Sequence, residues 1–295
     1  MTVDFGIRLT SFPPDGNSDV LAFYERTLTA LSEHVTTVWL SDHLQFGDQR
    51  FLEGWVRAAY LAGAYPRFRY GHLVTCQSFR NPGLLAKMGA SLQYLTGGRF
   101  ILGLGAGWHK EEYEAYHFDF ASPGVRVEQL AETIEIVRAL WTQAPATYHG
   151  KHYQIDQAYC TPRPDPLPPI LVGTNGKKAL AVTARLADAW NYDYRLETFE
   201  PAYRVLKQQC EEIGRDFGEL WLTACGTARF PQDTTEFVPA DPAKEEPKLG
   251  PTPAQAIEQL RPFVELGVSH FQIAFEDQRT IDRFCEEVAP RVAHM

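Results

Sequence analysis

Short apolar runs alternate with longer amphipathic ones along the chain, and that rhythm predicts its elements. Residues 3–9 (VDFGIRL) read as a strand, and residues 19–34 as a helix opened by an aspartate cap. The β-branched run 36–43 (TTVWLSDH) is a strand ending in polar residues, and 51–65 returns to helical spacing. Strand 68–76 (FRYGHLVTC), helix 81–95 and strand 100–107 (FILGLGAG) follow. In the helix predicted over 126–143, Val127, Leu130, Ile134, Val137 and Leu140 share one face. Beyond a Pro- and Tyr-rich excursion at 144–169 come strand 169–173, helix 176–187, strand 188–193, helix 199–214 and strand 220–228. A charged segment with six prolines, 229–253, leads to helix 253–267, strand 269–275 and helix 280–292.

Eight strand–helix alternations imply a parallel sheet. An open doubly wound sheet with a small second domain would be unusually wide, so the expectation is a (β/α)8 barrel. It carries insertions after the fourth and seventh strands and forms one domain over residues 1–295. The segment 229–253 is expected on the surface, as a lid beside the barrel mouth or as a solvated linker.

Function in such a barrel collects at the C-terminal ends of the strands. Strand 100–107 ends in Gly103, Gly105 and Gly107, but Trp108 stands where a dinucleotide fingerprint needs its third glycine. Two readings stay open: a tight strand exit, or a backbone surface against which a flat cofactor lies. The run 171–180 (LVGTNGKKAL) fails as a nucleotide P-loop, because Lys178 occupies the second glycine position. Gly173, Thr174, Asn175 and Gly176 still fall between a strand and a helix start. They suit either a single phosphate or a plain turn with an N-cap. Asp42–His43 fits an acid/base group with a neighbouring carboxylate, or a pair of loop caps.

Other chemistry recedes. His149 and His152 read as loop residues without a carboxylate partner for a metal, and residues 109–120 (HKEEYEAYHFDF) as a solvated face or lid. The five cysteines are scattered and odd in number, so they read as reduced thiols, with Cys76 and Cys225 buried. A net charge of −9 with no dense basic stripe argues against nucleic acid. No apolar run approaches the roughly 18 residues of a membrane helix, and the N-terminus reads as a core strand, not a signal peptide. A cytoplasmic protein is expected.

Four stretches in order carry a resemblance: SDH at 41–43, residues 79–120, residues 126–141 and residues 169–191. Together they resemble the bacterial luciferase-like family of flavin- and deazaflavin-dependent oxidoreductases. That resemblance implies a TIM barrel with the cofactor ring across the strand ends. It places Gly105, Ala106 and Gly107 against the cofactor, Gly173, Thr174, Asn175 and Gly176 around its phosphate, and Thr75 on the ring or its ribityl chain. It also implies a non-proline cis peptide at His72–Leu73 backing the ring. The Asp–His pair resembles the branch using coenzyme F420, with Asp42 at the cofactor and His43 as acid/base. FMN, in a two-component monooxygenase, is the alternative, and a non-catalytic flavin- or deazaflavin-binding protein is a third. Some sugar-phosphate dehydrogenases of the branch have a catalytic Glu after the glycines; here Trp108 stands there, and that role does not transfer. Phe12, Trp108 and Trp190 are expected to wall an apolar substrate pocket. Expected partners are a small-molecule substrate and a separate reductase for the cofactor; a homodimer stays open, and no metal is expected.

Overall fold

The computed structural model describes residues 2–13, 16, 19–241 and 245–295. Its strands are β1 (Asp4–Arg8), β2 (Val35–Leu40), β3 (Arg69–His72), β4 (Thr75–Cys76), β5 (Phe100–Gly105), β6 (Ala146–His149), β7 (Gln154–Ala158), β8 (Ile170–Gly173), β9 (Ala189–Asp193), β10 (Trp221–Ala228), β11 (Lys248–Leu249) and β12 (His270–Phe275). The helices are α1 (Val20–Thr29), α2 (Gly54–Ala64), α3 (Pro82–Thr96), α4 (Lys110–Ala115), α5 (Pro123–Thr142), α6 (Lys177–Leu186), α7 (Leu196–Glu212), α8 (Pro253–Glu265), α9 (Gln278–Arg283) and α10 (Ala289–Val292). Hydrogen-bonded strands run in the order β11-β10-β12-β1-β2-β3-β5-β8-β9, and β9 pairs again with β10. An order that returns on itself is a closed ring, the (β/α)8 barrel of the sequence reading. The chain divides into two compact units.

The first comprises residues 1–39, 191–203 and 221–295. Here β1 lies parallel between β12 and β2, pairing Phe5 with Phe271 and Ile7 with Ile273. Phe5, Ile7, Phe271, Ile273 and Phe284 are buried together, with Phe5 edge-on to Phe284. Trp39 Nε1–H donates to His270 Nε2 at 2.9 Å; that nitrogen must then accept, so the proton sits on Nδ1, facing Asp4. Only glycine fits at Gly6, where a Cβ would stand 2.4 Å from the Trp39 indole nitrogen. Asp19 caps α1 as expected, accepting from Ala22 N–H. The predicted helix 280–292 is instead α9, a π-helical turn (Phe284–Val288) and α10. Pro290 has no N–H to continue the ladder, which accounts for the break. The described part of 229–253 is anchored: Glu246 pairs with Arg8, Lys248 with Glu276, and β11 runs beside β10.

The second unit comprises residues 40–190 and 204–220. Strands β3, β4 and β8 flank the fully buried β5, all parallel. Asn81 caps α3, Pro82 opens it and Gly97 closes it at φ 63°, a left-handed conformation that suits glycine. Against α3 packs α5, whose Leu130, Ile134, Val137 and Leu140 are buried; Val127, the first of the predicted face, is half-buried. Trp141 Nε1–H donates to the Ala86 carbonyl, and Gly89 leaves room for that indole. The excursion after α5 is an antiparallel hairpin, β6–β7. Buried Glu132 on α5 holds it by accepting from the N–H groups of Lys151, His152 and Tyr153 at 2.8–2.9 Å.

Candidate active site

The second unit gathers most of the expected site. Immediately after β2, the Asp42 carboxylate is 4% exposed and takes a bidentate pair from Arg80 at 2.7 and 2.8 Å. It also accepts from Cys76 N–H at 2.9 Å. Burial pushes the Asp42 carboxyl up to about 6, against the pull of Arg80. With both oxygens committed inside the protein, Asp42 clamps the β2 exit onto the segment after β4. The residue expected at the cofactor is thus held by Arg80 and the Cys76 N–H. Arg80 reaches on to Glu53, whose carboxylate also caps α2 at Val56 N–H.

His43, one residue later, points elsewhere. Its Nδ1 lies 3.0 Å from Glu112 Oε2, while Glu112 Oε1 accepts from Leu44 N–H and, at 3.1 Å, Gln45 N–H. Glu112 is 1% exposed, whereas the His43 side chain keeps 25% of its surface open. Around the imidazole stand Phe46, Trp108 and His109, with ring centroids 4.5, 5.6 and 6.0 Å away. Trp108 is 66% exposed. The stretch 109–120 is therefore not simply a solvated face: α4 buries Glu112 and Tyr113.

The glycines have a close neighbour in the chain at residues 72–74. The predicted strand 68–76 splits into β3 and β4, and the cis peptide lies at Leu73–Val74, one residue later than expected at His72–Leu73. A Cβ on Gly103 would stand 1.9 Å from the His72 carbonyl oxygen; one on Gly105 would stand 2.5 Å, and one on Gly173 3.0 Å, from Val74 methyls. Gly103, Gly105 and Gly173 thus make room for the chain at residues 72–74. At φ 80°, Gly107 accommodates Tyr113, whose hydroxyl is 3.0 Å from Cys76 Sγ. Leu73, Val74, Ala106, Gly107, Gly173 and Thr174 are all partly open, while Gly105 is buried. Burial pushes the Cys76 thiol up, and the Cys225 thiol of the first unit up to about 12, so both stay protonated at neutral pH.

Other expected residues sort by burial. His72 is fully buried, stacked on Trp55 at 4.7 Å and lowered to about 3 by burial. Its neutral side chain belongs to the packing of α2 on β3, and its carbonyl faces Gly103. Thr75 is buried, and among the described residues its hydroxyl has no hydrogen-bond partner. Trp190 is not a pocket wall: it is fully buried and donates from Nε1 to the Thr174 carbonyl at 2.7 Å, bracing the turn before α6. That turn leaves Asn175 and Gly176 exposed, with Gly176 as the N-cap of α6 and its N–H bonded to Thr174 Oγ1 at 3.3 Å. Phe12, in the first unit, is half-buried after β1, where Thr10 Oγ1 donates to its carbonyl. Arg80, Glu112, Phe46 and His109 escaped the sequence reading. The one signal for Glu112 was its place beside Tyr113 in a short aromatic-flanked helix close behind the glycines.

The luciferase-like monooxygenase family model matches residues 35–236. This chain belongs to that family. An uncharacterized protein of Mycobacterium tuberculosis is 39% identical over 140 residues, 48% of this chain and 47% of that protein. The chain thus spans about half the length of this curated relative. The F420-dependent glucose-6-phosphate dehydrogenase of Amycolatopsis mediterranei is 23% identical over 300 residues, covering 87% of this chain and 90% of that enzyme. Among solved structures, an F420-dependent secondary alcohol dehydrogenase in complex with an F420-acetone adduct superposes with TM-score 0.82 at 19% identity, over 99% of each chain. Likeness at that identity shows the fold, a luciferase-like (β/α)8 barrel. No described helix is long and apolar enough to cross a membrane.

Proposed function

We propose that this chain is an F420-dependent oxidoreductase that exchanges a hydride with a small organic substrate. One observation carries the reading: a half-open imidazole, His43, stands beside exposed Trp108 among strand exits that offer backbone surface at Leu73, Val74, Ala106 and Gly107. The residues present fit the cofactor. Thr75 has a buried hydroxyl without a hydrogen-bond partner among the described residues, and α6 has as its N-cap Gly176, with no side chain to bond the first N–H groups. Its first turn carries Lys177 and Lys178, where the helix dipole favours negative charge, so an anionic phosphate there relieves an unfavourable arrangement. When bound, F420 would supply two-electron hydride chemistry.

The chain's own residues do the rest. Leu73, Val74, Ala106 and Gly107 give a flat seat, Gly173 to Gly176 and the start of α6 hold the phosphate, and Trp108 and Phe46 pack an apolar substrate and exclude water. His43 Nε2 gives or takes the proton that accompanies the hydride. On this reading residues 1–295 form one catalytic domain, and a separate reductase keeps the cofactor reduced. The exposed apolar side chains of Val56 and Tyr60 on α2, and Leu84 and Leu95 on α3, support a homodimer, which light scattering of the purified protein tests.

Turnover tests the function. With F420 or its reduced form, a panel of apolar alcohols and ketones should include a substrate that His43→Ala slows about 10²–10⁴-fold. The family's description favours one other reading, an FMN-dependent monooxygenase fed by a separate reductase. Oxygenation of the panel with reduced FMN, and no reaction with F420, would establish that reading instead. Tight cofactor binding without turnover of any substrate would favour a non-catalytic carrier.

A further inference from the structure

Glu112 is the least explained part of the site. A buried carboxylate is costly unless it is paired, and this one is fully engaged: two backbone N–H groups on Oε1 and an imidazole nitrogen on Oε2. Backbone N–H groups can only donate, so their bonds hold one carboxylate oxygen fixed whatever His43 does. The other oxygen can only accept, so the His43 nitrogen facing it, Nδ1, must carry a proton. In the neutral ring the lone pair is then on Nε2. Among the described residues Nε2 has no hydrogen-bond partner.

We propose that Glu112 is a positioning residue that fixes His43 as the Nδ1–H tautomer, making Nε2 the atom that exchanges a proton with substrate. The inference rests on the oxidoreductase reading for what Nε2 does, but the tautomer itself does not depend on any cofactor. Glu112→Gln is the informative change because it is isosteric. The Leu44 and Gln45 N–H groups keep the amide oxygen, which turns the amide NH₂ toward His43. Nδ1 must then accept, and the proton moves to Nε2. The variant inverts the tautomer without removing the side chain.

The experiment uses ¹⁵N-labelled histidine in the full-length protein, with His43 assigned by its loss in His43→Gln. Long-range ¹H–¹⁵N spectra at pH 8 should show wild-type His43 protonated on Nδ1 and Glu112→Gln His43 protonated on Nε2. Wild-type protein carrying the proton on Nε2 overturns the proposal without any variant having to fold. So does a Glu112→Gln spectrum with the wild-type tautomer. Diethylpyrocarbonate, which acylates an unprotonated ring nitrogen, gives a second readout: the His43 labelling rate should fall at least about 10-fold in Glu112→Gln, in line with loss of the open lone pair. Equal rates overturn the proposal. For a substrate that wild type turns over with F420, kcat should fall about 10²–10⁴-fold while KM changes little. Unchanged kcat with an inverted tautomer also overturns it. The predicted tautomers in a protein that binds neither F420 nor FMN would uphold the positioning role and refute the oxidoreductase reading instead.

Discussion

Removing Arg80 puts the Asp42 clamp under the most direct strain. Asp42 sits at about 6 in the folded protein against an ordinary value near 3.9, with Arg80 already in place. At pH 8 that elevation of roughly two pH units costs about 3 kcal/mol of stability, at ~1.4 kcal/mol per unit. In Arg80→Met the carboxyl keeps only the Cys76 N–H and stays neutral to higher pH. Holding it neutral at pH 8, about four units above its unfolded value, costs up to about 6 kcal/mol, so the variant's deficit is about 3 kcal/mol. At pH 5 Asp42 is mostly protonated in either protein, and that deficit shrinks toward zero. The sign follows from proton binding: a carboxyl raised on folding holds more protons folded than unfolded, so its contribution falls as pH rises through the window from about 4 to 6, and in the variant beyond. Glu53, the other Arg80 partner, is partly exposed and adds little.

Thermal unfolding of wild type, Arg80→Met, Asp42→Asn and the double variant, each at pH 5 and pH 8, reads this out. Arg80→Met should melt lower than wild type by about 5 °C at pH 8 and much less at pH 5. In the Asp42→Asn background Arg80→Met should lose that pH dependence. Equal deficits at both pH values, or a pH-dependent deficit that survives Asp42→Asn, would refute the reasoning.

Gly103→Ala drives a Cβ into the His72 carbonyl and should destabilise by about 3 kcal/mol or prevent folding, whereas Gly176→Ala meets nothing and should melt within ~0.5 kcal/mol of wild type. Denaturation midpoints compare the two. His72, lowered to about 3 by burial, stays neutral when folded while the unfolded chain takes up protons below about 6.5, so it costs stability on acidification. Between pH 7 and pH 5, His72→Phe should lose about 2 kcal/mol less than wild type, measured by urea unfolding at each pH. Glu132→Ala strips the acceptor from three N–H groups and should release the β6–β7 hairpin, seen as protease cleavage within 146–158 while the remaining chain stays folded.

The barrel was legible because period-2 and period-3.6 runs alternate eight times, and caps such as Asp19 and Asn81 are written in local chemistry. The strand ends that carry His43, Trp108 and the turn before α6 are visible in sequence. What hid was pairing across distance. Nothing local says that Glu112 meets His43 from 69 residues away, or that Arg80 spends itself on Asp42. The glycines misled in one respect: the space they leave is occupied by the chain at His72 and Val74, a neighbouring-strand effect with no trace in the run itself. Trp190 misled because a strand-end aromatic can turn inward as easily as outward, and only its bond to Thr174 decides.

Equilibrium titration of the purified protein with F420 and, separately, with FMN tests the central claim most directly, following fluorescence of each chromophore. Saturable binding of F420 at micromolar concentration or below, at least ~100-fold tighter than FMN, is the predicted result, with binding weakened by Lys177→Glu/Lys178→Glu at the phosphate end. Tight FMN binding with negligible F420 binding would contradict it.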